Sequence, residues 1–190
     1  MGMNTRYVKE YFYKEKIRSV IAWIIEIAAV ILLAGIFSWF FCKSVVVQEG
    51  SMEPTLTAGE RVLVDSAAYR LGEPKRGDII VFRTSEDKKA SLHIKRVIAL
   101  PGETVQIVNG QILINGETYL EGKDFPSITN AGLAEEPITV GKGQYFVLGD
   151  NRNNSEDSRH NGLGMVDEDL IVGKLWFVIS PWEKIGLPDR

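Results

Sequence analysis

The chain has 190 residues, a formal charge of −3, two histidines and one cysteine, Cys42. That length suits one modest domain with an appendage. A near-neutral charge with no basic stripe argues against a nucleic-acid partner. A single cysteine excludes an intrachain disulfide and a cysteine-rich zinc site.

Residues 1–19 carry Arg6, Lys9, Lys14, Lys16 and Arg18 against Glu10 and Glu15. Residues 20–42 are apolar except for Glu26 and Ser38, and a bilayer core needs about 20 such residues. The run exceeds a secretory h-region of about 7–15 residues. Phe40-Phe41-Cys42-Lys43-Ser44 shows no clear small-x-small cleavage site, so the segment reads as an uncleaved anchor. The basic excess before it puts residues 1–19 in the cytoplasm and residues 43–190 outside. Tyr7, Tyr11, Phe12 and Tyr13 suit the inner interface, and Cys42 reads as a small membrane-facing residue. Glu26 lies within two turns of the basic flank, where it can reach headgroups or a lysine instead of marking an intramembrane site.

Beyond Lys43 the pattern is β. Short apolar runs cover residues 45–47, 61–64 and 78–82, the last two bounded by Gly59, Pro74 and Gly77. Residues 104–108 and 111–114 are strands separated by Asn109-Gly110 and followed by Asn115-Gly116. Each Asn-Gly pair supplies the two positive-φ positions of a type I′ turn, so a meander is expected. Residues 144–148 and 173–179 read as later strands. Helical turns are expected over 65–69 and over 167–171, the second capped by Asp167. Residues 122–143, with Pro126 and Pro137, read as a long loop or weak ribbon. The predicted fold is mainly β: a partly open barrel or folded sheet, tethered by one transmembrane helix.

Three blocks carry chemistry. Ser51-Met52-Glu53-Pro54-Thr55-Leu56 places a serine between Gly50 and Pro54, in a turn or extended backbone. Leu92-His93-Ile94-Lys95-Arg96 places His93 and Lys95 on one face of a strand and Ile94 and Arg96 on the other. Gly149–Asp150-Asn151-Arg152-Asn153-Asn154-Ser155-Glu156-Asp157-Ser158-Arg159 is dense in charge. Serine is a weak nucleophile until a base takes its proton. His93 and Lys95 are both candidates. A lysine acts as a base only when neutral, which needs a pKa far below its free value of about 10.4. Met52, Leu56, Ile94, Val97 and Ile98 offer the apolar lining for that. Arg76-Gly77-Asp78 spells a cell-adhesion tripeptide but opens a β run and reads as a strand start. No metal-ligand spacing and no phosphate-binding glycine loop appears, so neither metal nor cofactor is expected.

In that order behind one anchor, the blocks resemble the bacterial type I signal peptidases, which are serine–lysine endopeptidases. The resemblance implies Ser51 as nucleophile and Lys95 as general base. It implies that Ser155 orients the Lys95 amine, and that Asp150 with Arg96 and Asp157 with Arg159 brace the site. Met52, Pro54 and Ile94 are candidates for lining shallow apolar substrate pockets. The implied reaction removes signal peptides from secretory preproteins after small residues in a small-x-small pattern. The implied setting is the outer face of a bacterial plasma membrane, with lipid as the other partner and no obligate protein partner. The alternatives are a related Ser–Lys protease dedicated to one exported substrate, and a catalytically silent scaffold. One departure stands out. Many relatives place a hydroxyl two residues before the nucleophile to help bind the oxyanion, and here that residue is Glu49. An ionised carboxylate would repel an oxyanion, so Glu49 is expected to point away, toward a base.

Overall fold

The computed structural model describes residues 5–70 and 72–188, with side chains described over 16–35, 43–70 and 72–188. The expectations for Tyr7, Tyr11, Phe12, Tyr13 and the Cys42 side chain lie outside the described residues. The chain divides into two compact units, Met1–Phe41 and Cys42–Arg190.

The first unit is one helix, α1, Thr5–Phe41. It continues through the basic stretch because residues 5–19 contain neither glycine nor proline to interrupt it. Lys16–Gly35 has a mean hydropathy of 2.2 and buries nothing against protein. Val20, Ile24, Ile27 and Ile31 are all exposed, and an all-round apolar surface of that length suits lipid. The helix ends at Phe41, and Cys42 already belongs to the first strand.

The second unit is built on two open antiparallel sheets; neither closes into a barrel. The larger holds β1 Cys42–Val46, β2 Arg61–Asp65, β3 Ile79–Arg83, β4 Leu92–Ala99, β9 Gln144–Leu148, β10 Val166–Asp167 and β11 Ile171–Ser180, in the order β1-β2-β11-β3-β4-β9-β10. The smaller holds β5 Thr104–Val108, β6 Gln111–Ile114, β7 Glu117–Thr118 and β8 Ile138–Thr139, in the order β7-β6-β5-β8. Both Asn-Gly turns form with positive φ at each central residue: 51° and 79° at Asn109 and Gly110, 53° and 83° at Asn115 and Gly116. Hence β5 and β6 have the expected bounds. The loop expected over 122–143 contains β8, which is two residues long and exists by pairing with β5.

The turn over 65–69 is held by Asp65, whose carboxylate accepts from the N–H groups of Ala67 and Ala68 at 2.8 and 3.1 Å. Asp167 precedes the 3-10 turn Glu168–Leu170 but its side chain makes no capping bond. It accepts instead from Gln144 Nε2 at 2.8 Å, because β10 pairs with β9 there. The Arg-Gly-Asp tripeptide is likewise structural: Arg76 pairs with Glu103, and Asp78 with Lys174. Beneath the Ser51 turn, Val47, Met52, Leu56, Val62, Val64, Ile79, Val81 and Ile94 form one buried cluster. Burying such side chains is worth about 1.5–3 kcal/mol each, and this floor fixes the height of Ser51.

Candidate active site

Ser51 lies in the 3-10 turn Gly50–Met52. Met52 and Leu56 drive apolar side chains into the core below it, both fully buried. From above, Asn151 ties the turn to the loop after β9: its N–H donates to the Ser51 carbonyl at 3.0 Å, and its Nδ2 to the Gly50 carbonyl at 3.1 Å. The serine is therefore held from two sides of the fold.

Lys95 sits on β4, opposite Ile80 of β3, and its side chain has no exposure. Its Nζ donates to Ser51 Oγ at 2.8 Å. Burial pushes its pKa down, because a charged amine loses water there; Glu49, then Asp157 and Glu156, pull the other way by their charge. The net direction is down. Met52, Leu56, Ile94, Val97 and Ile98 are all buried, but they belong to three separate clusters: Met52, Leu56 and Ile94 in one, Val97 in a second and Ile98 in a third. His93 stacks near Phe82 with ring centroids 5.8 Å apart. It faces Glu49, and Lys95 occupies the place beside the serine hydroxyl.

Glu49 turns toward the bases, as expected: its two oxygens lie 3.7 Å from Lys95 Nζ and 3.9 Å from His93 Nδ1. Ser155 departs from the expected arrangement. Its Oγ is buried and makes no hydrogen bond among the described residues, so the implied bond to Lys95 is not formed. The hydroxyl is packed against Gly149 instead. A Cβ on Gly149 would fall 2.1 Å from Ser155 Oγ and 2.5 Å from the Ser51 carbonyl oxygen, so only glycine lets the backbone pass between them.

Two buried ion pairs lie around this passage. Arg96 donates from Nε and Nη2 to the two Asp150 oxygens at 2.8 and 2.7 Å, and from Nη1 to the Gly77 carbonyl at 2.9 Å. Arg159 donates to the Asp157 carboxylate from Nε and Nη2, both at 2.8 Å. Asp157 also accepts the Gly149 N–H at 3.1 Å. Sequence reasoning gave no role to Arg152 or Asn151. Arg152 donates to the Gly149 carbonyl at 3.1 Å, pairs with Glu121 and lies over the Phe125 ring at 4.2 Å. The only signal for either residue was membership of the charged block, since Glu121 is far away in sequence.

Beside Ser51 is a cavity of about 10 Å³, lined by Val47, Glu49, Met52, Leu92 and Ile94 among others. That is room for about one water-sized group. Pro54 is exposed and does not line it. Two larger cavities, of about 420 and 430 Å³, touch neither Ser51 nor Lys95. Size therefore does not single out the cavity beside Ser51 and Lys95.

A family model described as "Signal peptidase, peptidase S26" matches residues 20–182. Signal peptidase I T of Bacillus subtilis strain 168 is 39% identical over 180 residues, spanning 90% of this chain and 91% of that protein. Signal peptidase IB of Staphylococcus aureus strain COL is 34% identical over 187 residues, spanning 88% and 93%. A crystal structure of a signal peptidase I from Enterococcus faecalis V583 is 33% identical, covers 55% of this chain and 97% of its own, and superposes with a TM-score of 0.44. The family match takes in the apolar helix as well as the β unit, and on it the chain belongs to the signal peptidase family, peptidase S26.

Proposed function

We propose that this serine endopeptidase removes signal peptides from secretory preproteins by a Ser51–Lys95 dyad, cutting after a small-x-small sequence. The observation that carries the reading is the 2.8 Å contact between Lys95 Nζ and Ser51 Oγ at a fully buried lysine. In its neutral form the amine accepts the serine proton while Oγ attacks the scissile carbonyl. The resulting ammonium returns that proton to the departing amine as the acyl-enzyme forms. Lys95 then takes a proton from water, whose oxygen attacks the ester, and returns that proton to Ser51 Oγ as the acyl bond breaks, which restores the neutral amine. The Ser51 N–H, at the start of a helical turn where N–H groups lack an intrahelical acceptor, is the first donor to the oxyanion. A cavity of about 10 Å³ beside the nucleophile favours a small side chain before the cut. The test is cleavage of a preprotein with N-terminal sequencing of the product, using wild type, Ser51→Ala and Lys95→Met. A new N-terminus directly after a small-x-small sequence supports the reading. Cleavage confined to one exported protein out of a panel would favour a dedicated processing protease.

The orientation follows from the basic residues before the apolar run, with the cytoplasm on their side. Protease added to intact protoplasts should then degrade residues 43–190. Protection until the membrane is opened reverses the assignment.

The β unit itself shows an apolar, aromatic end: Trp182 is 83% exposed and Leu187 72%, with Ile185 and Trp176 partly so. Tryptophan favours the interface between lipid and water, and contact there would meet a cleavage site at the bilayer surface. In vesicles, Trp182→Ser should slow preprotein cleavage at least about threefold more than cleavage of a short soluble peptide. Equal slowing of both substrates argues against lipid contact.

A further inference from the structure

Two residues before Ser51 this chain carries a carboxylate that reaches Lys95. Glu49 lies 3.7 Å from Lys95 Nζ by one oxygen and 3.9 Å from His93 Nδ1 by the other. The lysine side chain is fully buried, whereas that of Glu49 is 55% exposed. Glu49 thus joins a dry amine to the solvent, at the rim of the cavity beside Ser51.

Resting on the Ser51–Lys95 reading above, we propose that Glu49 is a positioning residue that holds the Lys95 amine beside Ser51 and sets what fraction of it is free to act as a base. An anion at this distance favours the ammonium form, while burial favours the neutral amine, so the two effects compete at one atom. The other groups facing Lys95 compete less. Asp157 and Glu156, from the loop after β9, act in the same direction as Glu49 but more weakly. The Asp157 carboxylate is also committed to Arg159 at 2.8 Å. Arg96, next along β4, is turned to Asp150, and His93 Nδ1 faces the other Glu49 oxygen at 3.9 Å. Because Glu49 is half in water, its hold on Lys95 is open to salt in a way that a buried partner's would not be.

The experiment measures kcat/KM on a short soluble peptide across pH, using the full chain in detergent. The quantity read is the ratio of the pH 7 value to the alkaline plateau. In Glu49→Gln this ratio should rise about fivefold, since a tenfold change corresponds to one unit in the titration of the base. Glu49→Asp, which keeps the charge, should return the ratio to near that of wild type. Raising the salt from about 0.05 to about 0.5 M should raise the wild-type ratio and leave that of Glu49→Gln in place. Salt also screens the exposed Glu156, so the comparison with a variant is needed, and Glu49→Ala, which likewise lacks the charge, takes the place of Glu49→Gln should that variant fail to fold. A ratio unmoved by both salt and Glu49→Gln, with rates scaled equally at every pH, overturns the proposal and places Glu49 on substrate or oxyanion. Near wild-type cleavage by Lys95→Ala is a different failure, because it removes the dyad itself.

Discussion

Lys95→Met should abolish cleavage and, at neutral pH, leave a more stable protein. The first half follows from the contact with Ser51: without a base the hydroxyl keeps its proton, and the loss should be at least about 10³-fold. Ser51→Ala should lose as much, and the double variant little more, because the two side chains act in one step. The second half follows from burial. Lys95 has no exposure, and its pKa is lowered mainly by desolvation. Between that lowered value and the free value of about 10.4, the unfolded chain binds a proton that the folded chain does not, so stability rises with pH through this window. Below the window the full penalty of burying the charge is present, and above it the penalty is gone. Methionine removes the penalty and keeps the volume, at the cost of one lost hydrogen bond to Ser51 worth about 0.5–1.5 kcal/mol. The net gain should be about 1–2 kcal/mol, or about 3–6 °C in Tm, largest at neutral and acidic pH and fading toward pH ~10. Thermal unfolding at pH 6 and pH 10 reads it. A variant less stable than wild type at both values would mean that the amine is not held against its preference.

How far the sequence led can be seen at particular residues. The Asn109-Gly110 and Asn115-Gly116 pairs gave β5 and β6 their correct ends because a type I′ turn is a local requirement. The stretch 144–148 was legible as a run of apolar residues and became β9 unchanged. β8 was not legible, since Ile138–Thr139 has little pattern of its own and is a strand only by pairing with β5. Asp167 misled for a related reason: it has the residue type of a cap, but a cross-strand partner, Gln144, takes its carboxylate. At the site, the serine, the lysine and the charged block were readable as motifs. The partners that fix their geometry were not, because Asn151 reaches back to Gly50 across 101 positions and Arg152 to Glu121 across 31. Ser155 shows the limit of motif reasoning most sharply: its place in the block was readable, but the direction of its hydroxyl depends on the close passage of Gly149.

Asp157→Ala should cost stability and rate together, and a second substitution should separate the two. Asp157 is fully buried and accepts from Arg159 twice at 2.8 Å and from the Gly149 N–H at 3.1 Å. Removing the carboxylate leaves the Arg159 guanidinium buried, with only the Asn130 and Arg152 carbonyls, at 3.0 and 2.6 Å, to hold it. An uncompensated buried charge of this kind costs about 3–5 kcal/mol. The rate should fall for another reason. Gly149 is fixed by Asp157 at its N–H and by Arg152 at its carbonyl, and it passes so close to Ser155 and the Ser51 carbonyl that no side chain fits between. Freed at one end it can shift, and a small displacement beside a nucleophile costs about 10- to 100-fold in kcat. Adding Arg159→Met removes the stranded charge and should recover at least about half of the lost stability, since apolar replacement of a buried pair is often near neutral. It restores no acceptor to Gly149, so kcat should stay low. Denaturant unfolding and peptide kcat, both measured where every variant is fully folded, test the two halves. Recovery of stability and kcat together in the double variant would show that Asp157 acts on the site by compensating the Arg159 charge, not by holding Gly149.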